Sequence, residues 1–254
     1  MIDSFKRRAG LASVLAASVL LSGCFGDDDD NNSSNDNMGG TGGTPPAEMT
    51  YAYEVTVLNT SVGQPFSPLA VLAHTDQYKA FTVGEAASTE LEYLAEAGSN
   101  AEILTAVASN DEVHTSQGGN GVVGPGTSQT LTIELGENDF SSAYLTVLTM
   151  MVNTNDAVVA ARGIKLSDLA VNGYHKVNAI AYDAGTEANT ETAASIPGPA
   201  GGGEGFNATR DDHMDQVTAH AGVVTSDDGL DTSALTQVHR WDNPAAVITV
   251  KRTR

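Results

Sequence analysis

The segment TYAYEVTVL (residues 50–58) decides the fold class, because large apolar residues recur at every second position. Tyr51, Tyr53, Val55 and Val57 would share one face of an extended chain, and the intervening residues are mostly smaller or polar. A period of two with aromatic and β-branched residues is typical of a half-buried β-strand. Five further strand-like segments lie between turns rich in Gly, Asn and Asp, so the sequence predicts an all-β, antiparallel sandwich. These segments are residues 129–135, 142–150, 157–160, 177–182 and 246–251.

Two short helices are predicted to interrupt the strands. In residues 86–98, apolar residues at 87, 91, 94 and 95 follow a helical spacing, and Gly98 is a typical helix end. Asn100 is a typical N-cap for a second helix that runs to about residue 108. We interpret the Gly- and Pro-rich residues 197–205 as a long loop, because the segment that follows is too short to fold alone. One domain over residues 49–254 is therefore expected.

Composition excludes several classes of function. The chain has 12 Lys and Arg against 32 Asp and Glu, a formal net charge of -20. Such a surface repels phosphate backbones, so no nucleic acid is expected as a partner. One cysteine excludes a disulfide framework, zinc fingers and iron-sulfur sites. The abundant carboxylates suit hard divalent cations such as Ca²⁺, although acidity also serves solubility alone.

The N-terminus reads as an export signal. Lys6, Arg7 and Arg8 precede a short apolar stretch at residues 11–21, which is too short to span a bilayer comfortably. It ends in LSGC (residues 21–24), which resembles the lipobox of bacterial lipoproteins. Residues 1–23 are therefore predicted to be removed, with Cys24 carrying the lipid that attaches the protein to the membrane. The alternative is a plain signal peptide followed by an incidental cysteine.

Residues 24–48 read as a linker. They contain a run of aspartates (residues 27–30), then Asn, Ser and Gly, with nothing able to form a core. In lipoproteins of two-membrane bacteria, Asp next to the lipidated Cys retains the protein in the inner membrane, and Phe25 stands there instead. The predicted location is the cell envelope, lipid-anchored at the outer membrane, with periplasmic and surface orientations both open.

Two acidic turns are the candidates for chemistry. The segment DAGTEAN (residues 183–189) follows a predicted strand and places acids at Asp183 and Glu187, a spacing that lets both carboxylates converge on a calcium ion. The turn at residues 153–156 ends in Asp156 and could supply a third. The pattern is not an EF-hand. By composition alone, each turn is more typical of an Asx turn than of a ligand set.

Taken together, these features resemble a spondin domain, the N-terminal module of F-spondin and mindin that also occurs in bacterial secreted proteins. The most specific match is YDAGTE (residues 182–187), which follows the Thr154, Asn155, Asp156 turn and precedes a closing strand. The resemblance extends over residues 51–252. Its other stretches are residues 53–58, 66–68, 74, 81, 83–84, 86–98 and 241–250.

The resemblance implies an eight-stranded antiparallel β-sandwich similar to C2 domains, with one Ca²⁺ bound by Asp156, Asp183 and Glu187. The animal pattern usually has Asp where Glu187 stands, so the reach of this carboxylate is longer. Ala157 replaces an animal tryptophan, which removes a large apolar cover from the site. The resemblance also implies non-enzymatic adhesion, with an extracellular or envelope protein or glycan as the unidentified partner.

Two other functions remain open at the level of sequence. His213, His220 and His239 lie near several aspartates, and His with carboxylate is also the ligand set of metal-dependent hydrolases. Their spacing matches no compact ligand motif. A structural envelope lipoprotein without metal is the other alternative. Convergence of the three acids on one point would favour calcium, whereas convergence of the histidines would favour the enzyme.

Overall fold

The computed structural model describes residues 49–254, so the predicted signal peptide (1–23), Cys24 and the linker (24–48) lie outside the described residues. Residues 49–254 lie within one compact unit. No helix within residues 49–254 is long and apolar enough to cross a membrane. The elements are β1 (Thr50–Asn59), β2 (Ala70–His74), α1 (Thr89–Ala97), α2 (Ala101–Val107), β3 (Val113–Gly118), β4 (Ser128–Gly136), α3 (Glu137–Phe140), β5 (Tyr144–Met150), β6 (Ala157–Lys165), β7 (Tyr174–Asp183), β8 (Thr218–Ala219) and β9 (Ala246–Arg252).

The strands form one antiparallel sheet with the order β3-β2-β5-β6-β7-β9-β1-β4, and the two-residue β8 pairs with β7 beside this path. The end strands β3 and β4 contact each other, so the sheet curls into a nearly closed arrangement. Strand β7 belongs to both halves of the curl, because its first part pairs with β9 and its last part with β6. The all-β antiparallel prediction is confirmed, with eight strands on the main path.

Strand β1 forms as its alternation predicts. Tyr53, Val55 and Val57 are fully buried in the main core, and β1 pairs with β4 on one side and β9 on the other. The main core fills the space inside the curled sheet and includes residues from every strand except β3 and β8. The first strand of the described residues therefore pairs with the last, and its buried face contributes to the main core.

A second core lies outside the sheet, under the two predicted helices. Leu91 and Leu94 of α1 pack with Leu72, Leu148 and Val158 from β2, β5 and β6. The hydroxyl of Ser88 accepts a hydrogen bond from the Leu91 amide and caps α1 at its start. Gly98 ends the helix in the left-handed conformation with φ of 65°. Helix α1 thus packs on β5 and β6 near the turn that joins them.

Strands β2 and β3 were not predicted. Strand β2 (AVLAH) is buried on both faces, so its apolar residues do not alternate. Strand β3 (VHTSQG) lies at an end of the sheet and is mostly polar. Strand β6 also extends five residues beyond the predicted segment, to Lys165.

Tyr53 offers a test of the main core. Its buried hydroxyl donates to the Leu166 carbonyl at 3.2 Å. Replacing Tyr53 by Phe leaves that carbonyl without this donor and should reduce the free energy of unfolding by about 1 kcal/mol. The melting temperature should fall by about 2–4 °C. Tyr51→Phe is the control, because the partly exposed Tyr51 packs through its ring on Phe140; equal losses in both variants would contradict the assigned role of the Tyr53 hydroxyl.

Candidate metal centre

The pairing of β6 with β7 brings the two acidic turns together. Ala157, the first residue of β6, lies opposite Asp183, the last residue of β7. Asp156 therefore directly precedes the pair, and its carbonyl accepts a hydrogen bond from the Ala184 amide at 3.2 Å. The two predicted ligands Asp156 and Asp183 consequently stand beside each other at one end of the sheet.

Asp156 is completely buried in a turn that its neighbours build. The Thr154 hydroxyl donates to the Met151 carbonyl at 2.6 Å and accepts from the Ala157 amide at 3.1 Å, which closes the turn. The Asp156 carboxylate points into the second turn, where its Oδ2 accepts from the amides of Thr186 at 2.9 Å and Glu187 at 3.2 Å. The first turn thus fixes the backbone of the second.

The second turn depends on Gly185. This residue has φ of 69°, and the Gly185 amide donates to Asp183 Oδ1 at 2.9 Å. A Cβ at this position would lie only 2.4 Å from the Gln216 carbonyl oxygen. Asp183 Oδ2 accepts from the side-chain amide of Asn189 at 2.6 Å. The glycine therefore allows both the left-handed turn and the close approach of the 216–218 segment.

Burial raises the pKa values of two acids at this site. Burial raises the pKa of Asp156 to about 7, with a further contribution from the charge of Asp183. Burial likewise raises the pKa of Glu187 to about 8, and the neighbouring charge that contributes most is that of Glu96. Both shifts mean that burial and neighbouring negative charge disfavour the ionised forms of these two acids.

Several buried oxygens of the two turns and of helix α1 have no hydrogen-bond donor. They are Glu187 Oε2, Asn155 Oδ1, and Oε1 of both Glu92 and Glu96. A buried acceptor without a donor is costly, and native structures leave few of them. Carboxylate and amide oxygens are the ligands that Ca²⁺ prefers. The chemistry of this donor set fits a calcium ion.

The three predicted ligands are neighbours, but they do not form a ready coordination shell. Across residues 49–254, no group of three His, Cys, Asp or Glu side chains is arranged to hold a metal ion. The oxygens of Asp156 and Asp183 accept hydrogen bonds from nearby amides, whereas Glu187 Oε2 is buried without a donor. Ala157 does not leave the site open, because Asp156 is 0% exposed and Asp183 and Glu187 are each 9% exposed.

The histidines do not form a common site. His220 is buried against Trp241 with ring centroids 5.0 Å apart, and its Nδ1 accepts from the Gly222 amide at 2.9 Å. Burial lowers the pKa of His220, which favours the neutral ring of a core residue. His239 accepts from the Thr236 amide at 3.0 Å in a short helical turn. Exposed His213 lines an open cavity of about 440 Å³ beside Asp183 and Asp212.

Sequence reasoning missed the contribution of helix α1. Glu92 and Glu96, four residues apart, lie on the buried side of the helix, with exposures of 4% and 0%. Their spacing was the available signal, because residues at i and i+4 share one helix face. Sequence reasoning also gave no role to Asn155, which donates to Asp156 Oδ1 and to the Glu187 carbonyl at 3.1 and 3.2 Å.

A protein-family model matches the part of the chain that contains these two turns. A family model described as Spondin_N matches residues 58–199, which is more than half of the 254-residue chain. The matched region includes Asp156, Asp183 and Glu187. No curated protein matches the chain at a significant level.

Gly185→Ala tests the close packing of the second turn. The added Cβ combines strain from a positive φ with a clash against Gln216, so we expect a loss of about 2–4 kcal/mol in the free energy of unfolding. Gly202→Ala is a matched control, because Gly202 has φ of 67° and nothing lies within 4 Å of the Cβ position. Denaturant unfolding of both variants measures the difference. Equal losses would show that the approach of Gln216 is unimportant.

Proposed function

Because this chain belongs to the Spondin_N family, we propose that it is a calcium-binding, lipid-anchored spondin-like domain that mediates binding or adhesion at the bacterial cell envelope. The observation that carries the calcium part is the group of buried acceptor oxygens without donors around residues 183–187. A cation is the one kind of partner that satisfies several carboxylates at once without adding bulk.

Asp156, Asp183 and Glu187 are the residues that would hold the ion. Calcium supplies positive charge where the fold concentrates negative charge. Asp156 joins the two turns through the Thr186 and Glu187 amides, so neutralising the carboxylates there would stabilise the connection between β6 and β7. A structural role follows from this position, since the site lies where two packed strands end.

The longer side chain of Glu187 is consistent with this role. Glu187 is mostly buried, and its amide already binds Asp156 Oδ2. The backbone of residue 187 is thereby fixed beside Asp156, and the extra methylene gives the carboxylate a longer reach from that point. The departure from the animal pattern therefore shifts the position of the third carboxylate and preserves its charge.

The sequence supports the proposed lipid anchor at Cys24 and the proposed location at the outer membrane. The LSGC segment supplies Cys24 for lipid attachment, and residues 25–48 would link the lipid to the folded domain. Phe25 after the cysteine supports sorting to the outer membrane. The partner we propose is an extracellular or envelope protein or glycan, bound without chemical conversion.

Thermal melting with and without calcium tests the metal site. At a free calcium concentration one hundred times the dissociation constant, binding adds about 2.7 kcal/mol and should raise the melting temperature by several degrees. Asp183→Asn removes a ligand charge with little change of shape and should abolish most of this increase.

The control for calcium binding is Asp231→Asn, at an exposed acid outside both turns. All proteins are compared at matched ionic strength after treatment with a chelator. Equal increases in the wild type and in Asp183→Asn would mean that calcium only screens the negative surface, and the proposed site would be wrong.

Fractionation of Cys24→Ser cells tests the anchor. Without the thiol no lipid can be attached, so the variant should leave the membrane fraction and appear as a folded soluble protein. Ser33→Ala, in the same linker, should remain in the outer-membrane fraction after a high-salt wash. Membrane retention of Cys24→Ser under those conditions would overturn the lipid-anchor proposal.

A further inference from the structure

Positive charge is concentrated in one part of the structure. Six of the 12 lysines and arginines of the chain lie in β6, in β7 or in the last four residues. This basic group consists of Arg162, Lys165, Lys176, Lys251, Arg252 and Arg254. The sheet brings its members together, because β7 pairs with β9 and Tyr174 lies opposite Lys251. In a chain with a net charge of -20, such a local excess of cations sets this area apart from the rest of the surface.

A cleft opens between β6 and β7 in the same area. The two strands pair over only four residues each, although β6 continues to Lys165 and β7 begins at Tyr174. Between their unpaired parts lies an open cavity of about 580 Å³. Its lining includes Arg162, Lys165 and His175 together with one acid, Asp168. A volume of this size is typical of sites that bind small ligands or parts of larger ones.

Most of the basic group is not neutralised within residues 49–254. Arg210, Arg240 and Arg254 each pair with a carboxylate. The ion pairs of these residues include none of the other five cations of the basic group. Arg162 instead donates to the Phe81 carbonyl at 2.8 Å and lies over the Phe81 ring, 4.1 Å from its centroid. These contacts fix the guanidinium beside the cleft and leave its charge without a carboxylate partner.

Tyr174 adds an aromatic ring at the edge of the cleft. It is 64% exposed, although it belongs to a strand. Tyr174 and Lys176 share one face of β7, because side chains at i and i+2 point to the same side. An exposed ring beside cations combines a flat apolar surface with positive charge. A sugar that carries an acidic group has the matching combination, since its ring presents C–H groups and its substituent is negative.

The acids nearby favour a narrow ligand over a flat one. Strand β4 ends at Gly136 beside the start of β1, so Glu134 and the acids of α3 lie at the same end of the sheet as the basic group. Glu134 pairs with Arg254 at 3.0 Å. An anionic membrane surface would meet these acids together with the cations, whereas a thin chain in the cleft would not. Because charges more than about 8 Å apart are largely screened at physiological salt, the local excess in the cleft decides.

We propose that the cleft between β6 and β7 binds an acidic polysaccharide, a chain of sugars that bear carboxylate, sulfate or phosphate groups. Lys165 and Lys176 would pair with these groups, and Tyr174 would pack on a sugar ring. The inference rests on the proposed function, because it names the class of the glycan partner. Strand β6 has nine residues, or about 26 Å, between the acidic turn at its start and the cleft at its end. Binding of the polysaccharide should therefore be independent of calcium.

Binding of dextran sulfate to the full chain tests the inference, with unmodified dextran as a neutral probe that has the same backbone. A chelator is present, so that the proposed calcium site does not contribute. Dextran sulfate should bind, with an affinity that falls as salt is added, and dextran should not. Lys165→Gln and Lys176→Gln should each lower the affinity about threefold, and the double variant about tenfold. Isothermal titration calorimetry measures these affinities.

Three comparisons make the result specific. Lys79→Gln removes an exposed cation between β2 and α1, outside the cleft, and should bind dextran sulfate like the wild type. Equal losses in Lys79→Gln and Lys165→Gln would mean that the probe binds lysines anywhere, and would overturn the site. Tyr174→Ala should weaken binding of dextran sulfate. Polyglutamate and vesicles of phosphatidylglycerol carry negative charge without a sugar chain, and equal or tighter binding of either would overturn the assignment to a polysaccharide.

The outcomes separate this inference from the proposed function. Absence of dextran sulfate binding to the wild type would overturn the inference and leave the calcium site and the anchor standing. Binding of dextran sulfate that Lys165→Gln weakens, in a protein that calcium does not stabilise, would overturn the calcium site and support the cleft. Wild-type affinity in the double lysine variant would overturn the role of the cleft.

Discussion

The register between β6 and β7 is the constraint on which the site depends. Only four residue pairs join these strands, from Ala157 opposite Asp183 to Ala160 opposite Ile180. Successive side chains on a strand point to opposite faces, so a shift of one residue would turn Asp183 from the buried turn to the other side. It would also separate the Ala184 amide from the Asp156 carbonyl. A short ladder therefore sets the relative positions of two acidic turns that are distant in sequence.

Burial of so many acids has a consequence for stability. Desolvation disfavours ionised carboxylates, and native proteins are stable by only about 5–15 kcal/mol. The fold offsets part of this penalty with backbone amides, which donate to Asp156 and Asp183, and with Arg210, which pairs with Glu92. The atoms left over are acceptors, so what the described structure lacks around this turn is positive charge. The proposed calcium ion would supply that charge.

The sequence allowed prediction of those features that have a local pattern. Alternation identified β1, and helical spacing with Gly98 identified α1, because each pattern reflects one buried face. The acidic turns were recognisable because Asp183 and Glu187 flank a glycine directly after a strand. The proximity of Asp156 followed from resemblance to a family and not from composition. Strand β2 escaped prediction because burial on both faces removes the alternation on which strand prediction relies.

Glu96 shows why the buried acids of helix α1 could not be predicted. Glutamate is common on helices and is ordinarily solvated, so its type did not indicate burial. Its environment is created by residues far away in sequence, since Asn207 and Glu187 reach it only through the folded sheet and the loop after residue 204. Long-range contacts of this kind leave no periodic signal in the local sequence. The missing hydrogen-bond donor of Glu96 Oε1 is a property of the folded structure alone.

The position of β3 at an end of the sheet has a consequence for behaviour at high concentration. A strand at a sheet edge offers unpaired amides and carbonyls to any second chain that can align with it. Within β3, residues 114–117 read His, Thr, Ser and Gln, so a strand added there would gain little apolar contact. Because β3 is mostly polar, its sequence has no alternating apolar pattern from which the strand could be predicted. The same polarity discourages edge-to-edge polymerisation. With the proposed lipid anchor this property would matter more, because crowding on a membrane surface brings such edges together repeatedly.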